Sequence, residues 1–196
     1  MTVSVESRRE GLLRAADAVV QRDGAAASMA AMAAEAGVTK PILYRHFGDK
    51  AGLYAALAAR HTETLMASLT AALAETATPK ERVRRTVDVY LAALEADPQV
   101  YSFLVQSEEA APVRGQVRGF LRQLQEQLSR GISAELGLPP GDVRAPVWAA
   151  GIVGMVQSAG DWWLEARSQD PQALSRVDLS NQLTELLWGA YGDAAR

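Results

Sequence analysis

Apolar residues recur at spacings of three and four along nearly the whole chain, which is the period of an amphipathic helix. Leu12, Ala16, Val19 and Val20 form one stripe after Ser7, and Gly24 interrupts it. Ser28 is placed to cap a short helix over 29–36, which Gly37 ends. Thr39 stands as the cap of a second short helix over 40–47, with Pro41 in its first turn. Gly48-Asp49 breaks the pattern, and Asp49 can cap a long helix carrying Leu53, Leu57, Leu65, Leu69 and Leu73. Thr78-Pro79-Lys80-Glu81 has the form of a capping box before Val83, Val87, Tyr90, Leu91 and Leu94. Asp97-Pro98 opens a short helix through Val105, and Pro112 opens a long one with Val113, Val117, Leu121, Leu124, Leu128 and Ile132. After the loop Leu138-Pro139-Pro140-Gly141, Asp142 can cap a helix running to Arg167. Asp170-Pro171 marks a turn, and Asp178 can cap a last helix with Leu179, Leu183, Leu186, Leu187 and Ala190. The pattern contains no convincing strand and no long repeat. It predicts an all-α chain of about nine helices, roughly four before residue 75 and five after it.

Composition sharpens this picture. The chain has 196 residues, 48% of them hydrophobic and 22% charged, a globular balance that excludes wholesale disorder. Alanine alone appears 36 times, so much of the apolar content is helix former rather than bulky core. No apolar run is long enough to span a membrane. The polar start, Met1 to Glu10, lacks a secretion segment, and the absence of cysteine fits a cytoplasmic setting. It also excludes disulfides, thiolate metal sites and cysteine nucleophiles. Charge is unevenly spread. Residues 1–60 hold 8 Lys/Arg and 6 Asp/Glu, whereas residues 61–196 hold 12 and 17. A small basic head on an acidic body suits a polyanion at one end only.

The segment 28–54, SMAAMAAEAGVTKPILYRHFGDKAGLY, carries the chemistry. Its two short helices meet at Ala36-Gly37-Val38, a turn of helix-turn-helix length with glycine where a left-handed residue is useful. Ala30, Ala33 and Ala34 let the helices approach, and Ile42 or Leu43, with Phe47, can anchor the second one. That second helix is cationic at Lys40, Arg45 and Lys50 and carries hydrogen-bonding Thr39, Tyr44 and His46. A narrow helix with phosphate donors and cations is what a major-groove reader needs. The run Ala36, Gly37, Val38, Thr39, Leu43, Tyr44, His46, Phe47 and Lys50 resembles the DNA-binding signature of the TetR family of transcriptional repressors.

The resemblance implies a homodimer on double-stranded operator DNA. Residues 1–50 would be a three-helix DNA-binding domain, and 51–196 a helical effector-binding and dimerisation domain. It also implies that Thr39, Tyr44, His46 and Lys50 hold phosphates, while Lys40, Pro41, Ile42 and Arg45 face the groove; Ser28, by its own position, can reach a phosphate as well. The chain departs from some family members at Met29 and Ala30, where they carry polar or basic residues. Each position has a plainer alternative. Tyr44 can cover the head core, His46 can pack on the surface, Lys50 can be a solvated lysine, and Pro41 can serve as a helix start alone.

The body is less explicit. Trp148, Gly151, Met155, Ser158 and Trp162 form a heptad-like seam. Gly151 and Gly154 each lower helix propensity by about 1 kcal/mol relative to alanine, which close packing or a ligand would explain. With Leu183, Leu186 and Leu187 on the last helix, Gly151, Met155 and Ser158 are candidates for a four-helix dimer interface, as the family resemblance implies. Candidate effector residues are Tyr90, Tyr101, Phe103, Trp148, Gln157, Asp161 and Trp162. The aromatic ones suggest a small apolar effector, with Gln157 or Asp161 as a polar anchor. Ordinary core packing is the alternative for each, and His61 reads as a satisfied half-buried histidine. No hydrolase, phosphate-loop or zinc motif occurs, and Glu108-Glu109 reads as solvated surface. The sequence thus points to no enzyme, no cofactor, no metal and no membrane. A helical small-molecule-binding protein without DNA binding is one rival, and a helical enzyme using Asp161 near the tryptophans is the other.

Overall fold

The computed structural model describes residues 5–75, 78–106, 110–170 and 172–191. Among them are nine α-helices, one 3-10 turn and no strand. In chain order they are α1 (Val5–Asp23), α2 (Met29–Glu35), α3 (Lys40–Phe47), α4 (Lys50–Ala74), α5 (Pro79–Ala96), α6 (Pro98–Gln106), α7 (Ala110–Glu135), α8 (Arg144–Gln169) and α9 (Arg176–Tyr191). The Glu108-Glu109 pair and Pro171 lie outside the described residues.

Most predicted boundaries hold for the expected reason. Ser28 caps α2 by accepting the Ala31 N–H at 3.2 Å, and Thr78 caps α5 by accepting the Glu81 N–H at 3.3 Å. Asp49 accepts the Gly52 N–H at 2.7 Å at the start of α4. At α8 the cap position is Val143 rather than Asp142, whose carboxylate accepts the Arg144 N–H at 2.9 Å from one residue further out. Three more details differ. Thr39 has extended cap geometry, yet its hydroxyl makes no cap hydrogen bond. Helix α9 is capped by Ser175 rather than Asp178, whose own N–H donates to Ser175 Oγ at 3.2 Å and whose carboxylate accepts the Ser175 hydroxyl at 2.6 Å. Helix α7 starts at Ala110, so Pro112 lies within its first turn rather than at its opening.

The helices group into two compact units, one of residues 1–64 with 97–119 and one of 65–96 with 120–196. The first unit has a core of Ala16, Val19, Val20, Met32, Leu43, Leu53, Leu57 and Phe103, all fully or almost fully buried. Helix α6 belongs to it, although the chain reaches α6 only after α5. Gly24 explains part of this placement. Its φ of +55° turns the chain, and a Cβ there would lie 2.3 Å from Gln99 Oε1, so α6 packs closely on the turn after α1 because Gly24 has no side chain. The buried Tyr54 of α4 donates to the Ala27 carbonyl and meets the Phe103 ring edge-on at 5.1 Å. The second unit packs α5 against α8 and α9. Gly160 lets α8 approach α5, since a Cβ there would lie 2.9 Å from Leu94 and 3.1 Å from Tyr90. Trp163 is fully buried in this unit and donates its indole N–H to the Leu174 carbonyl at 2.7 Å.

Candidate nucleic-acid interface and ligand cavity

In the first unit, α2 and α3 are joined by a turn that closes on itself. Gly37 adopts a φ of +62° and donates to the Ala34 carbonyl at 3.0 Å, while Val38 donates to that of Ala33 at 3.0 Å. Leu43 and Phe47, one turn apart, are buried and anchor α3 to the core. That anchoring leaves Thr39, Lys40, Pro41, Tyr44 and Arg45 exposed together. Tyr44 is 40% exposed, so its ring does not close the core. Ser28 is exposed at the start of α2, and while its oxygen caps the helix its proton stays available to donate.

Three of the predicted contact residues sit less openly. Ile42 is half-buried against the core cluster rather than projecting freely. His46 is half-buried, and its Nε2 is enclosed without a hydrogen-bond partner among the described residues. A phosphate contact through that nitrogen therefore requires the ring to move. Lys50 is half-buried with its Nζ 5.2 Å from the Tyr54 ring centre, a cation–π contact that aims the ammonium.

Two supports of this arrangement carry no signal in the sequence pattern. At Gly52 a Cβ would stand 2.1 Å from the Phe47 carbonyl oxygen, so α4 enters this close to α3 only with glycine there. The exposed Arg9 guanidinium lies 4.8 Å over the Phe47 ring and brings a further cation beside the end of α3. His61 pairs with Asp17 at 2.6 Å, which fits a satisfied half-buried histidine.

The second unit forms a partly open cavity of about 640 Å³ between α4, α5, α7, α8 and α9, within the usual range for small-molecule sites. Leucine, valine and isoleucine make up nearly half of its wall residues, and Phe120, Trp148 and Trp188 add aromatic surface. Of the predicted effector residues, Tyr90, Trp148 and Gln157 line it together. Burial pushes the Tyr90 phenol well above its ordinary value, and the Asp161 charge adds to this, so Tyr90 offers a neutral hydroxyl. Tyr101, Phe103, Asp161 and Trp162 do not line this cavity. Tyr101 and Phe103 belong to α6 in the first unit, where Phe103 is core and the Tyr101 hydroxyl is buried without a partner among the described residues. Asp161 has an exposed side chain, yet nearby protein displaces enough water to raise its carboxyl above the usual range. Trp162 is 59% exposed, because the buried position of the pair is Trp163. Trp188 and the charged wall residues Arg82, Arg130 and Glu135 were not singled out by the sequence reading. Arg82 borders the stripe of Val83, Val87 and Tyr90 on α5 rather than lying within it, so helical spacing did not mark it.

The predicted dimer residues divide in the same way. Gly151, Ser158 and Leu186 are exposed and Met155 is half-buried, whereas Leu183 and Leu187 are buried within the unit, Leu187 on the cavity wall. Val147, Gly154 and Trp162 extend the exposed face of α8. The predicted seam therefore splits, with Trp148 turned to the cavity and its neighbours outward. Among the described residues no cluster of metal-binding side chains occurs, and no helix is long and apolar enough to cross a membrane.

Comparison with known proteins matches residues 12–57 to the profile "Bacterial regulatory proteins, tetR family" and residues 68–196 to "Tetracyclin repressor-like, C-terminal domain". An HTH-type transcriptional regulator of Mycobacterium tuberculosis is 34% identical over 187 residues, which cover 93% of this chain and 76% of the relative. The HTH-type transcriptional activator FasR of Mycolicibacterium smegmatis is 31% identical over 161 residues, 81% of this chain and 73% of FasR. Among solved structures, the transcriptional regulator FadR from Bacillus subtilis in complex with stearoyl-CoA has the same fold, with a TM-score of 0.67 at 22% identity, covering 91% of this chain and 96% of that one.

Proposed function

The chain belongs to the TetR family of DNA-binding transcriptional regulators, and we propose that it works as a homodimeric repressor released from a near-palindromic operator by a largely apolar small molecule. In this reading residues 1–50 read DNA, 51–196 hold the effector and dimerise, and the protein acts in the cytoplasm. The observation that carries it is the anchoring of α3 by Leu43 and Phe47, which leaves Thr39, Lys40, Tyr44 and Arg45 exposed on one short helix. The apolar cavity supports the effector half of the reading. The exposed α8 face of Val147, Gly151, Gly154, Ser158 and Trp162, with Leu186 of α9, supports the dimer, since small residues allow two helices to approach and Trp162 supplies area.

The test is a mobility-shift titration on the DNA upstream of the protein's own gene, with sedimentation to fix the stoichiometry. Saturable binding of one dimer per near-palindrome, weakened by an apolar ligand, is expected. Absence of specific DNA binding would favour a helical ligand-binding protein instead. The activator named among the relatives favours a second reading, in which the same dimer stimulates transcription. A reporter assay with the gene deleted separates the two, because expression rises if the protein represses and falls if it activates.

A further inference from the structure

The cavity is long and is polarised along its length. Its α7 wall runs from Phe120 to Glu135, roughly 22 Å at the helical rise. The three charged wall residues are Arg82, Arg130 and Glu135. Arg82 lies in the first turn of α5 and Glu135 is the last residue of α7, so the charges gather at one end. Tyr90 and Phe120 stand toward the other. The charged end is not neutral. Arg82 is paired to Glu135 at 2.6 Å, whereas Arg130 forms no ion pair among the described residues.

Resting on the reading of this cavity as an effector site, we infer that the effector is a long apolar chain ending in an anion, a carboxylate or a phosphate, and that Arg82 reads the anion by exchanging Glu135 for it. The exchange is energetically accessible. The Arg82 and Glu135 side chains are 27% and 45% exposed, and partly solvated pairs of this kind contribute little, about 0–1 kcal/mol. Glu135 also ends a helix, where the macrodipole disfavours a carboxylate. An anion delivered by a buried chain keeps the Arg82 charge paired, releases Glu135 to water and places Arg130 nearby as a second cation. Arginine suits either anion because its planar fork bonds two oxygens at once.

The test measures binding of palmitate, hexadecyl phosphate and hexadecanol, below their aggregation concentrations, through quenching of tryptophan fluorescence. Wild-type protein, Arg82→Met and Glu135→Gln are compared. The wild type should prefer both anions to the alcohol by about tenfold, 1.4 kcal/mol. Arg82→Met should lose that preference while binding hexadecanol within about twofold of wild type, which also shows that the cavity is intact. Glu135→Gln should bind the anions more tightly and the alcohol unchanged. The ratio of palmitate to hexadecyl phosphate affinity identifies which anion fits. Equal wild-type affinity for all three probes, or an undiminished preference in Arg82→Met, overturns the role of Arg82 and leaves the apolar cavity standing. Failure of the wild type to bind any of them overturns the apolar-effector reading as well.

Discussion

Lys50 and Tyr44 test the DNA face at the scale of single side chains. A phosphate contact carries no base information, so Lys50→Ala is expected to weaken binding about equally for every sequence and to reduce the salt slope by about one unit. Tyr44→Phe removes only the hydroxyl of an exposed ring, so DNA affinity should fall while the fold survives. Lys40→Ala should relax preference at one position per half-site, at a cost of roughly 1–3 kcal/mol, if its exposed side chain meets a base edge. Salt titrations on matched operator variants distinguish these outcomes. The glycines separate by their surroundings. Gly52→Ala forces a Cβ against the Phe47 carbonyl, a backbone atom that cannot yield, so a lowered melting temperature and lost DNA binding are expected. A Cβ at Gly115 would have nothing within 4 Å, and Gly115→Ala should stabilise the helix by up to about 1 kcal/mol. Calorimetry that ranked these two variants equal would contradict the contact at Gly52.

Between helices, the sequence was most legible where a boundary is local. Ser28, Thr78 and Asp49 each act within three residues of the group they satisfy, so their side chains and the neighbouring glycines suffice to place the ends of α2, α5 and α4. The facing of each helix depends on distant partners and was less legible. A seam through Trp148 and Trp162 at spacings of three and four fits a cavity wall or an outer face equally well. Only the tertiary packing turns Trp148 inward and leaves Trp162 59% exposed. Likewise, Tyr101 and Phe103 stood as effector candidates on their aromatic character alone, while α6 packs in the other unit, where Gly24 leaves room for it. The outer face of α8 has its own test. Gly154 has open space around it within one chain, so Gly154→Ile should leave the fold intact and weaken dimerisation. Sedimentation equilibrium should then show a folded 21.0 kDa species. An unchanged dimer in Gly154→Ile and in Leu186→Glu would remove this face from the interface.

For the whole protein, effector and operator affinities are coupled reciprocally. If the effector lowers DNA affinity by some factor, typically 5–150-fold, operator DNA must lower effector affinity by the same factor. Titrations in both directions on one preparation check this, and a factor of one in both would remove the coupling of effector to DNA. Helix α4 adds a mechanical consequence. It is a single 25-residue helix that begins at Lys50 and ends at Ala74 on the cavity wall, about 37 Å from end to end. A tilt of about 5° in a rod of that length displaces its far end by roughly 3 Å, enough to break a phosphate hydrogen bond. If effector and operator are coupled through this helix, its stiffness sets the coupling, and it can be altered without touching either end. Glu63 and Ala67 are exposed near its middle. Replacing both with glycine should leave effector binding and DNA binding each close to wild type. The factor by which one alters the other should collapse toward one, because a softened shaft bends where a stiff one would transmit.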